Sequence, residues 1–493
     1  MLYIGIDLGT SAVKLVLMDE QGNVLRSTAR VYPLYFPKPG WSEQDPAEWW
    51  EAVVKAMREL TANCDKERIR GIGVCGQMHG LIALDKQGRV LRPAILWNDG
   101  RTTQEVTLLN QTIGKETLHE LTGNIAFAGF TAPKLLWMRK NEGLLFKRID
   151  RILLPKDYIV HKLTGVFSTD VSDASGTLLF DVKNKCWSKA MLDICGLRKE
   201  QMPQIHESSE IVGTLLPEVA QELQLPQGIF VIAGAGDNAA AAVATGTVGG
   251  GRANLSVGTS GTLFVSSDTF CRDINYALHS FAHADGKYHL MGCILSAAVC
   301  NSWWCENILG TTDFKAEQIT VMDECLGRNS VFFLPYLMGE RSPINDTDAR
   351  GVFAGMSLNT TRVDMTQAVL EGVAFALRDS FEVVKKLDVP VTHMNLCGGG
   401  ARSPLWRKII ANVFNCELEV TQISEGPACG GAMLAAVGCG EYSCVEECTQ
   451  HIVKITDVVS PEPSIAERYG ERYWQFHRIY PALQTVFPGF KNG

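Results

Sequence analysis

The sequence predicts an α/β protein built from two similar halves. Apolar runs of strand length alternate with segments of helical period along the chain. A short unit also recurs half a chain apart, first as Tyr3-Ile4-Gly5-Ile6-Asp7-Leu8-Gly9-Thr10-Ser11, then as Ala253-Asn254-Leu255-Ser256-Val257-Gly258-Thr259-Ser260-Gly261. Each copy reads as a strand, a tight glycine turn and a second strand, the latter over residues 13–18 and 262–265. Finally, 493 residues are more than one core accommodates, so two or three domains are expected.

Glycine lets the backbone bend and come close to a ligand. The amides and hydroxyls of a Gly-Thr-Ser turn form a nest whose usual guest is phosphate. Two such turns in matching halves suggest a duplicated fold that grips one polyphosphate from both sides.

The remaining elements follow in order. Asp45-Pro46-Ala47-Glu48 starts a helix, with Asp45 able to cap, Pro46 suited to the first turn and Glu48 able to fold back. Trp50, Val53, Val54, Met57 and Leu60 then recur at helical spacing and mark a buried stripe. Residues 70–75 read as a strand ending in Gly76-Gln77-Met78-His79-Gly80, and residues 94–96 lead into Trp97-Asn98-Asp99-Gly100-Arg101. Helices are expected over 133–139 and 157–163. A continuous strand over 228–233 precedes Gly234-Ala235-Gly236-Asp237 and an alanine-rich helix over 238–245. Residues 246–251, glycine at 246, 249, 250 and 251, are the expected joint, giving domains 1–246 and 247–493. Beyond it come a long amphipathic helix over 362–384 and a strand over 392–396, followed by Cys397-Gly398-Gly399-Gly400-Ala401-Arg402.

Composition excludes some classes. A net charge of −8, with no basic run interleaved with aromatics, gives no reason to expect nucleic acid. The longest apolar stretch, near 290–300, is too short to span a bilayer. Met1 leads directly into a strand without a charged and then apolar leader, so a cytoplasmic protein is expected. The 15 cysteines are scattered without the paired spacing of a zinc site and are expected to be free thiols.

The chemistry is read from polar residues at strand ends. Asp7 stands at the mouth of the first turn, where it would repel a phosphate, and a divalent cation between them removes that conflict. Asp237 follows an apolar strand and opens a helix, a place where an α/β sheet presents ligands. It could simply cap that helix. It could equally hold a substrate hydroxyl and take its proton during phosphoryl transfer, a task that asks for position more than basicity. Gln77-Met78-His79-Gly80 and Trp97-Asn98-Asp99 mix amide, imidazole, indole and carboxylate, as a polyol requires. The bare backbone at 398–400 would let an adenine slide in.

These residues resemble the FGGY carbohydrate kinases, within the wider actin, Hsp70 and hexokinase-like ATPase group. The two signature segments are Gly129-Phe130-Thr131-Ala132-Pro133-Lys134-Leu135-Leu136-Trp137 and Gly351-Val352-Phe353-Ala354-Gly355-Met356, running on to Glu371. The resemblance covers roughly residues 1–440 and is weakest beyond Cys444. It implies two ribonuclease-H-like domains around a cleft, with sugar on the first and ATP on the second. It further implies Asp237 as general base, Asp7 as the carboxylate near Mg²⁺, and Met78, His79, Asp99 and, less directly, Arg101 at the sugar end. Thr10, Ser11 and Lys14 would face the β- and γ-phosphates, Gly258 and Thr259 would hold phosphate from the other side, and Gly399, Gly400 and Ala401 would border adenine. The implied reaction is transfer of the ATP γ-phosphoryl group to D-xylulose. The alternatives are ribulose, L-xylulose, fuculose, gluconate or glycerol, and, from another class, a non-catalytic nucleotide switch. A homodimer is implied by the resemblance alone.

Overall fold

The computed structural model describes residues 1–422 and 426–492. The chain opens with β1 (Leu2–Leu8), β2 (Ala12–Asp19) and β3 (Val24–Val31), an antiparallel meander that leaves β3 as a half-exposed edge. Helix α1 (Pro46–Thr61) follows, capped by Asp45, whose carboxylate accepts the Ala47 N–H at 2.9 Å. Its expected stripe is buried. Glu48 does not fold back on the cap; the Tyr35 hydroxyl donates to it at 2.7 Å and draws it outward.

Strand β4 (Ile69–Gly76) runs parallel to β1. Helices α2 (Thr131–Asn141) and α3 (Pro155–Thr164) come next, then β5 (Ile211–Thr214), β6 (Phe230–Ile232), β7 (Ala235–Gly236) and α4 (Asp237–Ala244). The first sheet has the order β5-β6-β4-β1-β2-β3, with β7 also paired to β4. The strand expected over 228–233 is confined to β6 at 230–232, and the short β7 follows at 235–236. They are separated at Gly234, whose φ of 80° and contact with β4 explain the break: a Cβ there would lie 1.7 Å from the Val74 carbonyl oxygen.

The second half repeats the plan with β8 (Gly251–Val257), β9 (Gly261–Ser267), β10 (His279–Ala282), β11 (Tyr288–Ile294), α5 (Ala298–Ser302), α6 (Arg362–Lys386), β12 (Val391–Cys397), α7 (Pro404–Phe414), β13 (Leu418–Thr421), α8 (Gly426–Gly438), β14 (Ile455–Val459) and α9 (Pro463–His477). Its sheet order is β10-β11-β9-β8-β12-β13-β14. Six strands of each sheet correspond, with β10 and β7 the additions: β8 pairs antiparallel with β9 and parallel with β12, as β1 does with β2 and β4.

Helices α1 and α3 cover one face of the first sheet. The other face is covered by α4 and by α8, which returns from beyond the second sheet. Glycines permit that approach: a Cβ at Gly5 would sit 1.7 Å from the Ala428 carbonyl oxygen, and one at Gly430 would sit 1.9 Å from that of Ala240. The segment beyond Cys444, where the resemblance is weakest, is integral to the second core. On α9, Arg472 pairs with Glu371 of α6 at 2.8 Å and the Tyr473 hydroxyl donates to Asp379 at 2.7 Å. None of the 15 cysteines, all of them described, is joined in a disulfide.

Candidate active site

The C-terminal ends of β1, β4 and β7 converge, and the side chains they carry define the first wall of the site. The Gly9 N–H donates to the Ala12 carbonyl at 3.1 Å and closes the turn after β1. Three groups brace that turn. The Tyr32 hydroxyl donates to the Gly9 carbonyl, Gln44 Nε2 donates to the Thr10 carbonyl at 2.7 Å, and Trp97 Nε1 donates to Thr10 Oγ1 at 2.9 Å. An indole N–H can only donate, so the Thr10 hydroxyl accepts there and keeps its own proton for another acceptor. Ser11 is exposed beside it.

Asp7 lies opposite Lys14 across the β1–β2 ladder, a pairing that puts both side chains on one face. Burial, then the like charge of Asp237, push the Asp7 carboxyl up to about 7, against the pull of Lys14. Asp237 is the first residue of α4, and no side chain caps that helix. Its Oδ1 accepts the Asn238 N–H at 2.7 Å and Asn238 Nδ2 at 2.9 Å. Burial raises this carboxyl to about 6, while those two hydrogen bonds hold it back. Asp7 and Asp237 thus feel each other across the cleft end of one sheet.

Met78 and His79 follow β4. Met78 is buried against Gly236 and Gly176: a Cβ at Gly236 would lie 3.0 Å from Met78 Sδ, and one at Gly176 3.1 Å from its Cε. His79 Nδ1 is 2.6 Å from the Gly176 carbonyl, which can only accept, so Nδ1 carries the proton and Nε2 is left as an acceptor. Burial lowers its pKa to about 3, so the ring is neutral. The ring stacks on Phe130 at 4.8 Å, and Phe130 in turn meets His279 of β10 at 5.5 Å. The second half therefore contributes an aromatic contact beside Met78 and His79.

Asp99 is placed differently from the other expected sugar ligands. Its side chain is fully enclosed, and its oxygens accept from Ser42 N at 2.6 Å and from Arg101 N, Nε and Nη2 at 2.9, 2.8 and 2.7 Å. Arg101 also pairs with Glu43 at 2.7 Å and lies 3.7 Å from the centre of the Trp41 ring. Both residues brace the loop that carries Trp97.

The second wall belongs to the other sheet. The Gly258–Ser260 turn joins β8 to β9, and two of its carbonyls are taken up by the start of α5: Gly258 accepts the Ala298 N–H at 2.7 Å and Thr259 the Ala297 N–H at 2.9 Å. Thr259 and Ser260 are exposed. Ala298 also lines a cavity of about 960 Å³ bounded by Ile319, Leu405, Gly399 and Gly400. Gly398, with a φ of 88°, brings β12 so close to β8 that a Cβ would lie 2.7 Å from the Val257 carbonyl. Ala401 is buried next to this cavity and is absent from its lining.

A buried charge cluster behind Asp237 escaped sequence reasoning. Lys156 Nζ lies 2.7, 2.9 and 3.8 Å from Asp157, Asp170 and Asp173. The available signal was charge inside apolar runs, Leu153-Leu154-Pro155-Lys156-Asp157-Tyr158-Ile159 and Thr169-Asp170-Val171-Ser172-Asp173-Ala174.

Comparison with known proteins fits this arrangement. The sequence matches the N-terminal domain of the FGGY family of carbohydrate kinases over residues 2–244 and its C-terminal domain over 253–439. The chain is 42% identical to the xylulose kinase of Escherichia coli (strain K12), over 98% of this chain and 99% of that one. The ligand-bound xylulose kinase from Lactobacillus acidophilus superposes with a TM-score of 0.94 at 28% identity, covering 99% of this chain and 100% of that one. The gluconate kinase of the same organism gives 0.93 at 28% identity, with both chains fully covered. The duplicated α/β architecture expected from the resemblance is the one these structures share. The chain belongs to the FGGY family of carbohydrate kinases.

Proposed function

We propose that this protein is an ATP-dependent kinase that phosphorylates D-xylulose to D-xylulose 5-phosphate. The observation that carries the reading is the opposition of Asp7 and Asp237 at one sheet end, between a phosphate-type turn and the Met78–His79 wall. Asp237 has one oxygen held by Asn238 and presents the other to a sugar hydroxyl, whose proton it accepts as the bond to phosphorus forms. His79 Nε2 and the Trp97 indole edge suit a polyol at the Met78 side. Thr10, Ser11, Lys14, Gly258 and Thr259 face phosphate from two domains, and the cavity beside Gly399 and Gly400 suits adenine, with Ala401 behind it. Excluding water from the closed cleft would protect the phosphoryl group from hydrolysis.

The donor set fits Mg²⁺. Asp7 is a carboxyl raised first by burial and then by a neighbouring like charge, and a cation would offset both. Among the described residues no group of three or more protein ligands is gathered. This suits an ion that takes one or two carboxylates and completes its shell with phosphate oxygens and water. Bound there, the ion would spread the charge developing on the transferred group.

The division into domains 1–246 and 247–493 is retained on the same footing: it is supported by the two sheets and qualified by α8, which lies on the first. A cytoplasmic location rests on the sequence reading alone; among the described residues no helix is long and apolar enough to cross a membrane. A homodimer rests on family resemblance alone. The likeness to a gluconate kinase favours a second reading, in which the pocket takes another polyol. ADP release from MgATP across a panel of ketoses, aldonates and polyols distinguishes them by kcat/KM. D-Xylulose should lead. Preference for gluconate or glycerol would move the substrate, and stimulation by none would restore the nucleotide-switch alternative.

A further inference from the structure

The buried cluster behind α4 holds the backbone at two points just before the proposed base. Lys156 on α3 donates to the Ala233 carbonyl at 3.3 Å, and Asp170 is 2.9 Å from its ammonium group. Asp170 also accepts the Ser172 hydroxyl at 2.5 Å and the Ser208 hydroxyl at 2.8 Å. The Ser172 oxygen, having given its proton to Asp170, accepts the N–H of Gly236 at 3.0 Å. Gly236 is the residue immediately before Asp237, and Ala233 precedes the φ-positive Gly234. The Lys156, Asp157, Asp170, Ser172 and Asp173 side chains are all buried.

We infer that Lys156, Asp170 and Ser172 form a positioning relay that fixes the peptide bearing Asp237, so that its free oxygen stands where the sugar hydroxyl must be met. The directionality of the hydrogen bonds supports this. A serine hydroxyl bound to a carboxylate must donate, which leaves its lone pairs to accept the Gly236 amide. A charge-assisted bond of this kind is shorter and stronger than a neutral one, so the chain from ammonium to carboxylate to hydroxyl to amide resists displacement. The segment it holds needs such support, because β6 and β7 are interrupted at Gly234 and pair with β4 over only four residues. Proximity effects make small misplacements of a reacting group expensive in rate. Burial opposes the charge on Lys156, but the neighbouring carboxylates, Asp157 and Asp170 foremost, outweigh it and keep it protonated. Asp173, whose oxygens have no hydrogen-bond partner, is pushed well above the carboxylate range by burial and contributes little negative charge.

The inference rests on the reading of Asp237 as base, and a double-mutant cycle separates the two. Ser172→Ala removes one hydroxyl from the relay and leaves the buried ion pairs in place. Ser208→Ala removes the other hydroxyl on Asp170 without touching Gly236. For folded protein, Ser172→Ala is expected to lower kcat at least tenfold with KM for sugar and for ATP within twofold, while Ser208→Ala leaves kcat within twofold. On an Asp237→Asn background, Ser172→Ala should cost nothing further, because the base it positions is gone. Near wild-type kcat in Ser172→Ala, an equal loss in Ser208→Ala, or the same fold-loss on both backgrounds would overturn the relay. Should Ser172→Ala prove unstable, Asp170→Asn carries the same expectation on both backgrounds. High activity in Asp237→Asn alone would instead refute the base.

Discussion

The Asp7–Asp237 pair makes a quantitative prediction about pH. In the proposed mechanism Asp237 is ionised to accept a proton, and Asp7 is ionised to oppose a cation. Their carboxyls lie at about 6 and about 7. With both requirements in force, the second-order rate falls about tenfold per unit between pH 7 and 6 and about a hundredfold per unit below 6, a loss of roughly 10³ from pH 8 to pH 5. Initial rates of ADP release with sugar and MgATP well below KM report the free enzyme and so read these groups. Asp237→Asn changes the shape as well as the height of the curve. The rate should fall about 10²–10⁴-fold for loss of a general base. The remaining limb should have unit slope and move to lower pH, because the like charge that raised Asp7 is gone. A wild-type profile flat to pH 5, or a variant limb with unchanged slope and midpoint, would refute the reasoning. Stability of the unliganded protein runs the opposite way. Both carboxyls are raised above their unfolded values, so the folded state binds more protons between about pH 4 and 7. The protein should gain melting temperature on acidification through that window and lose it as pH rises through the two folded values.

Two further substitutions test the walls of the cleft. Gly398→Ala combines a φ of 88° with a Cβ 2.7 Å from the Val257 carbonyl, and should destabilise by about 1–3 kcal/mol while raising KM for ATP more than KM for sugar. Thermal melts and two-substrate kinetics check both parts. Trp97→Phe removes the donor to Thr10 Oγ1 and should lower kcat by about threefold to tenfold, corresponding to one lost hydrogen bond of about 1 kcal/mol. An unchanged kcat would mean that the Thr10 hydroxyl needs no orientation.

What the sequence made legible was local. Asp7 beside Gly9-Thr10-Ser11 and Asp237 beside Gly236 are each recognisable within a few residues, because a turn and a strand end carry their own signature. Asp99 was legible as a polar residue at a strand end but not in its role. Its partners Ser42 and Arg101, and Arg101's partner Glu43, meet only when the loop folds back through Trp41. The Lys156 relay was hidden for the same reason: the segment carrying Lys156, Asp170 and Ser172 lies far along the chain from the turn at Gly236. Helix α8 shows the limit from another side. A glycine- and alanine-rich segment announces close packing, but nothing local says that it packs on the first sheet rather than the second.

That crossing decides where the molecule can bend. The backbone of α8 is pressed against β1, β4 and α4 at Gly5, Gly73 and Gly430 with no room for a Cβ, so these elements move as one piece. The second sheet follows them through residues 246–251, where Gly246, Gly249 and Gly251 have φ of 73°, 75° and 87°. Bending there moves the Gly258 turn relative to Asp7, because the two turns lie on opposite sides of the joint. Neither wall alone surrounds a phosphate, so sugar and nucleotide together should favour the closed arrangement. Small-angle scattering with D-xylulose and a non-hydrolysable ATP analogue should show a smaller radius of gyration than with either alone. Equal radii in all states would mean that the cleft is already closed, and that Asp7 and the Gly258 turn meet phosphate without any domain movement.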